Sequence, residues 1–189
     1  MVRRIQVMGP SGSGKSTVAA RLATALGVAH VELDALNWLP GWVERDRDEF
    51  RALLAAVAAG DRWVVSGNYT SRGLVLWERG EMVVWLDLPL HLTIPRQLTR
   101  SWRRWRTQEL LWGTNVERFW PQLAVWDPNS LVGFSLRARP RFRRLMAEAM
   151  SDPRWSHLRI VRLTSQREVD RFVASVEASM AAERAEGSA

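Results

Sequence analysis

The chain has 189 residues, 47% of them hydrophobic, a formal net charge of +7 and no cysteine. This length suits one domain with a sizeable core, the lack of cysteine excludes a disulfide framework and thiolate chemistry, and no apolar run is long enough to suggest a membrane span. No signal-peptide pattern precedes the first predicted strand, so the sequence predicts a cytoplasmic protein with no membrane partner.

Ile5, Val7 and Met8 predict a buried first strand near 3–8. The next stretch, Gly9-Pro-Ser-Gly-Ser-Gly14-Lys15-Ser16-Thr17, matches G-x-x-x-x-G-K-[S/T] without a mismatch and contains the only lysine among 27 basic residues. Val18, Leu22, Ala25 and Leu26 follow at helical spacing, and Gly27 offers a stop, which predicts a helix near 15–26. Strand, glycine loop and helix N-terminus together suit a bound triphosphate. The glycines let successive N–H groups point at an anion, and the helix adds unpaired N–H groups and the positive end of its dipole. Gly9, Ser11, Gly12, Ser13, Gly14, Lys15, Ser16 and Thr17 are therefore the candidate ATP-binding residues. Lys15 is the mobile charge between the outer phosphates, and the Ser16 hydroxyl is the candidate Mg2+ ligand.

A second strand near 29–33 runs into Glu32-Leu33-Asp34, where strand alternation puts Glu32 and Asp34 on one side. Ligands gather at the carboxyl ends of strands in an open α/β sheet. Asp34 is thus a candidate to orient a substrate hydroxyl, to accept its proton or to hold a metal-bound water, although a helix cap would use it equally well. Glu32 has no assigned role. Asp46 and Glu49 read as a capping pattern opening a helix that runs to Gly60. A third strand, 63–65, leads into Ser66-Gly-Asn-Tyr69, then a short helix near 71–78 and a fourth strand at 82–86.

The helix near 90–106 divides into two faces. Ile94, Leu98, Trp102 and Trp105 are expected to pack on the sheet, with Arg96, Arg100 and Arg103 opposite, Arg104 beside them, and a disturbance at Pro95. Arginine forks neutralise charge on a moving phosphoryl group, which makes Arg100, Arg103 and Arg104 catalytic candidates beside Lys15 and Asp34. A second arginine cluster covers 137–144. Residues 107–140 break the αβ rhythm and predict a helical insertion serving as a mobile cover. A fifth strand near 158–163 precedes a capping box, Ser165 to Glu168, and a last helix whose core stripe is Val169, Phe172, Val173, Val176 and Met180. The tail after Ala182 is expected to fray. His30, His91 and His157 have no partners at metal-ligand spacing and read as structural.

The order of these pieces carries a resemblance. Gly9–Thr17, then Leu33-Asp34-Ala-Leu-Asn-Trp38-Leu-Pro-Gly-Trp42, Gly67-Asn68-Tyr69, Trp85-Leu-Asp-Leu-Pro89 and an arginine-rich helix resemble the adenylate-kinase-like P-loop proteins known as DNA topology modulation proteins and nucleotide-kinase-like proteins. The resemblance spans most of 1–175. It implies a three-layer α/β fold, a P-loop kinase-like five-stranded parallel sheet in the order 2-3-1-4-5 with a helical lid at about 96–140, inside one domain covering 1–182. It implies ATP and Mg2+ in the loop and an acceptor near Asp34, Trp38 and Trp42, with Asn68 and Arg72 as further substrate contacts. Relatives read Asp-Gly-Asn-Tyr where this chain has Ser66-Gly67-Asn68-Tyr69. A serine cannot supply that charge, so Asp34 or Asp87 is left as the source of a carboxylate for the metal.

The function expected first is ATP-dependent phosphotransfer to a hydroxyl or phosphate of a small molecule, such as a nucleoside or nucleotide, by a monomer or homodimer. A nucleic-acid-associated or regulatory NTPase with weak catalysis is the alternative, favoured by the arginine clusters and by Ser66. No helix-turn-helix, RNA-binding or zinc motif accompanies it. Arginines 137–144 facing the nucleotide cleft would favour the first reading, and an exterior strip the second.

Overall fold

The structure is a computed structural model that describes residues 2–69, 74–124, 126–127 and 130–186. The main sheet is built from β1 (Arg4–Met8), β2 (His30–Glu32), β5 (Trp63–Ser66), β6 (Met82–Leu86) and β9 (Arg159–Leu163). All its pairings are parallel and the order is β2-β5-β1-β6-β9. Two small antiparallel ribbons complete the strands: β3 (Trp38–Leu39) with β4 (Val43–Glu44), and β7 (Leu110–Leu111) with β8 (Asn115–Val116). Counting the main-sheet strands alone, the order is the anticipated 2-3-1-4-5.

The central strands are buried on both faces, which is why β6 reads Met-Val-Val-Trp-Leu without alternation. On one face, Ile5, Val7, Val84 and Leu86 pack against Leu22 of α1 (Lys15–Leu26) and Val173 of α7 (Gln166–Glu186). On the other, Met8, Val65, Val83 and Trp85 meet Phe50 and Leu54 of α3 (Arg47–Ala59) and Met146 of α6 (Leu131–Ser151). Two short helices, α2 (Leu33–Asn37) and α4 (Val75–Arg79), and the long α5 (Leu90–Thr107) complete the helices. Helix α3 starts where expected: the Asp46 carboxylate accepts from the N–H groups of Asp48 and Glu49 at 2.8 and 3.2 Å. Helix α7 has its cap too, with Glu168 N–H donating to Ser165 Oγ at 3.3 Å.

Several expectations differ from the structure. Strand β2 ends at Glu32, and Asp34 lies in the first turn of α2 rather than on a strand. The last helix continues to Glu186, because Arg184 donates to the Ala25 carbonyl at 2.5 Å and ties its end to the C-terminus of α1. The segment from 108 to 130 is only partly helical; it holds the β7–β8 ribbon and a short 3-10 turn at Trp120–Leu123. The largest departure is on α5. Its buried stripe is Thr93, Gln97 and Ser101, not the tryptophans. This helix lies against the glycine loop at Gly12, which has no side chain to hold it off. A Cβ on Gly12 would fall 2.2 Å from the Thr93 carbonyl oxygen. Trp102 and Trp105 turn outward to meet Phe119 and Trp120 of the cover, with ring centroids 5.0 to 6.3 Å apart.

Candidate active site

The carboxyl ends of β1, β2, β5 and β6 share one edge of the sheet because the strands are parallel. The loop 9–14, Glu32 and Asp34, the turn after Ser66, and Asp87 meet there. Gly14 ends the loop in the left-handed conformation (φ 87°) as the N-cap of α1, with no side chain capping the helix. A Cβ at Gly14 would meet nothing within 4 Å, so the space before the helix is open. This edge offers a helix N-terminus, a basic side chain and an open cradle to an anion.

Lys15 reaches back over the loop, donating to the Pro10 carbonyl at 3.0 Å. Burial pushes its pKa down from 10.5 to about 8; the Asp34 carboxylate opposes this, the Arg100 guanidinium assists it, and Glu32 opposes it. Arg100 comes from α5 and donates to Ser11 Oγ at 2.9 Å. Its pKa is lowered, first by burial and then by Arg104, against the pull of Glu117, Asp34 and Glu32. Two buried polar atoms, Arg100 Nε and Ser13 Oγ, have no hydrogen-bond partner among the described residues. Two desolvated cations and two spare polar groups around one loop match what a phosphate chain would satisfy.

The three lid arginines separate in space. Arg100 lies on the loop. Arg104 is turned toward Glu117 and Glu109, at 3.6 and 3.5 Å. Arg103 faces solvent, with a side chain 69% exposed and only Glu109 near it at 3.8 Å, so a role on the transferred group does not suit its position. Helical geometry explains the difference: position 103 is two residues past the buried Ser101, so the helix turns it outward.

The carboxylates also sort themselves. Glu32, unassigned from sequence, accepts the Ser16 hydroxyl proton at 2.7 Å and the Trp112 indole N–H at 3.2 Å. Burial alone would raise its pKa, but those two bonds, His30 and Arg104 bring it below the ordinary carboxylate value. Asp34 accepts from the Tyr69 hydroxyl at 2.6 Å. Ser66 is buried, and its Oγ lies 2.8 Å from His30 Nε2, whose pKa burial lowers against the pull of Glu32. Glu32 stands opposite Ser66 in the parallel register. A carboxylate one strand away thus sits at Ser16, where Ser66 brings none. Asp87 gathers Arg143 at 2.8 Å, Arg162 at 2.5 Å and Arg139 at 3.8 Å. Among the described residues no three carboxylates or histidines form a metal cage. The residues suited to a metal are Ser16 with Glu32 behind it.

Asn68 lines the cleft and also holds the loop. Its Oδ1 accepts from Gly9 N–H at 2.9 Å and its amide donates to the Gly9 carbonyl at 2.6 Å, which clamps the loop's first residue to the end of β5. It shapes the loop. Arg72 lies outside the described residues. Trp38 and Trp42 pack edge to face at 5.6 Å on the β3–β4 ribbon. Thr17 is exposed on the first turn of α1.

A cleft of about 640 Å³ opens beside the loop between Pro10, Ser11 and Asn68 on one side and α6 on the other. Arg137, Arg139, Arg141, Arg143 and Arg144 all line it, with Trp85, Phe134 and Phe142 as its apolar part. Sequence reasoning found this arginine cluster without locating it. The signal that would have located part of it is the spacing of Phe142, Met146 and Ala149, which seats α6 on the sheet and brings the flanking Arg139 and Arg143 to Asp87.

No family model matches the chain. It is 28% identical over 153 residues to the uncharacterized protein YqaC of Bacillus subtilis, covering 78% of this chain and 84% of that one. It is 36% identical to the cytidylate kinase of Neisseria meningitidis over 80 residues, 37% of each chain. Among solved structures it resembles shikimate kinase from Acinetobacter baumannii in complex with shikimate. The TM-score is 0.57 at 19% identity, covering 97% of this chain and 95% of that one. The chain therefore has the fold of the P-loop kinases.

Proposed function

We propose that this protein is an ATP-dependent phosphotransferase whose acceptor is a small molecule carrying an anionic group. The observation that carries the reading is the cleft that begins at Pro10 and Ser11, which Arg137, Arg139, Arg141, Arg143 and Arg144 of α6 line on its other side. Arg139 and Arg143 are held by Asp87. Arg141 and Arg144 have no ion-pair partner among the described residues, and they supply charge for a carboxylate or a phosphate. A cleft with arginines along it and Trp85, Phe134 and Phe142 as its apolar part suits a small anion with an apolar body.

In this reading Lys15, Arg100 and the loop amides hold the triphosphate. Ser16 holds the magnesium ion, which when bound supplies charge neutralisation between the outer phosphates. The acceptor oxygen attacks the terminal phosphorus. A new O–P bond forms, the bond to the bridging oxygen breaks and ADP leaves. Asp34 takes the acceptor's proton, and the Tyr69 hydroxyl keeps that carboxylate facing the loop. Arg100 compensates charge on the moving group.

The test is a screen for ADP release with nucleosides, nucleoside monophosphates, sugar phosphates and hydroxy acids. Only acceptors bearing a carboxylate or phosphate are expected to raise release above the water rate. Changing Arg141 and Arg144 together to alanine should raise the acceptor KM about 10- to 100-fold with little change in KM for ATP. Equal stimulation by neutral nucleosides would rule out the anionic acceptor, and no stimulation by any acceptor would count against a kinase. Salt-sensitive DNA binding by a Lys15 variant would support the nucleic-acid alternative.

The lowered Lys15 pKa gives a second test. A bound phosphate chain favours the charged amine, and the free site is losing that proton above about pH 8. Nucleotide binding near pH 9 is therefore expected to take up a proton, and affinity should weaken as pH rises from 8 to 10. Calorimetry in buffers of different ionisation enthalpy measures the uptake directly.

A further inference from the structure

The β7–β8 ribbon of the cover is fixed to the β3–β4 ribbon by an unusual arrangement. Trp42 and Trp112 both adopt left-handed backbone conformations, at φ 61° and φ 50°. For bulky residues this costs on the order of 1–3 kcal/mol each and persists only where the surroundings enforce it. The surroundings here are specific. Buried Asn115 accepts from Trp42 N–H at 2.9 Å and donates to the Leu39 carbonyl at 3.1 Å. The Trp42 indole donates to the Val116 carbonyl at 3.0 Å. The Trp42 and Trp112 rings meet edge to face at 5.8 Å.

This assembly delivers one indole N–H to Glu32, whose other oxygen accepts from Ser16. Among the described residues no arginine or lysine lies within ion-pair distance of Glu32; the nearby Arg104 is paired with Glu109 and Glu117. Two neutral donors thus set the carboxylate's orientation, with His30 and Arg104 acting on its charge from beyond hydrogen-bond contact. The serine has a single proton to give. With that proton on Glu32, its lone pairs are directed elsewhere.

Resting on the phosphotransferase reading above, we propose that Trp112 is a positioning residue. It fixes Glu32 so that Ser16 presents lone pairs to magnesium, and docking of the β7–β8 ribbon thereby sets how tightly magnesium-nucleotide is held. Cover and metal are then linked reciprocally: a docked ribbon tightens the metal, and the bound metal favours the docked ribbon.

The test uses the full chain and a non-hydrolysable imido analogue of ATP, with magnesium titrated and binding followed by calorimetry. Trp112→Phe keeps a ring against Trp42 and removes the N–H. Its magnesium midpoint is expected to rise about three- to tenfold, with binding of the analogue in excess magnesium restored to the wild-type value. Glu32→Ala should raise the midpoint at least as much, and adding Trp112→Phe to Glu32→Ala should change nothing further, since Trp112 acts through that carboxylate. A structural role for Trp112 would instead lower the melting temperature and add to Glu32→Ala. An unchanged midpoint in Trp112→Phe, or additive effects in the double variant, overturns the inference while leaving the kinase reading intact. Failure of the wild-type chain to bind the analogue at any magnesium concentration overturns both.

Discussion

Replacing Lys15 with methionine is expected to lower phosphoryl transfer by about three orders of magnitude or more and, at neutral pH, to raise the melting temperature by several degrees. The two effects share one cause. Folding takes the amine out of water and gives it one carbonyl partner, Pro10, moving its pKa from 10.5 to about 8. The unfolded chain therefore binds the proton more readily between about pH 8 and 10.5. The stability cost is fully present below pH 8 and is recovered as pH rises through that window. A shift of that size corresponds to about 3 kcal/mol. Methionine keeps most of the buried stem and carries no charge, so the cost disappears with the activity. Thermal melts of both proteins at pH 7 and pH 10 check this. The gap should close at the higher pH. A variant that melts lower at pH 7 would show that Lys15 supports the fold instead.

Asp87→Ala is expected to have the opposite signature: a loss of about 3 kcal/mol in stability with the phosphate loop intact. Asp87 is 3% exposed and is the common anchor of Arg139, Arg143 and Arg162, which come from α6 and β9. Arg162 also stacks over Trp85 at 4.7 Å, so it stays near the site even when its carboxylate is removed. Without Asp87, like charges converge at the end of β6. Arg143 is nearly half exposed and can swing outward, which keeps the loss below that of a fully enclosed cluster. Urea denaturation should show a lower midpoint, and the acceptor KM should rise as α6 loosens. Asp87→Asn should fall between the two, because the amide can still accept hydrogen bonds. A wild-type midpoint in Asp87→Ala would mean that the arginines are held by something else.

The sheet, its order and the phosphate loop were legible from short-range patterns. Apolar runs of four to five residues, the glycine spacing and the capping pairs at Asp46 and Ser165 are local signals, and they survive folding largely unchanged. The sites of failure were long-range. The hydrophobic face of α5 predicts packing on the sheet, yet the closest neighbour of that helix is a glycine loop. The helix meets it at Thr93 and Gln97 and buries Ser101 on the same stripe, residues that a hydrophobicity pattern passes over. The same choice separated Arg100 from Arg103. Glu32 carried no signal of its own because its partners, Ser16 and Trp112, are 16 and 80 residues away. Asp87 stood at the end of an apolar strand, the usual place of a metal-binding acid. Three arginines from distant segments decided otherwise. Asn68 looked like a substrate contact because it follows a strand at the active edge, and only its pairing with Gly9 reveals the clamp.

The environment of Lys15 also gives the protein an uneven chemical reactivity. Ordinary lysines are almost wholly protonated at pH 7.5 and so are poor nucleophiles. An amine with a pKa of about 8 is uncharged in a substantial fraction of molecules at the same pH. There is no other lysine in the sequence to compete for an acylating reagent. Mild amine acylation is thus directed to the loop itself, apart from the chain terminus. A bound phosphate chain, by holding the proton on that amine, quenches the reaction where it shields it.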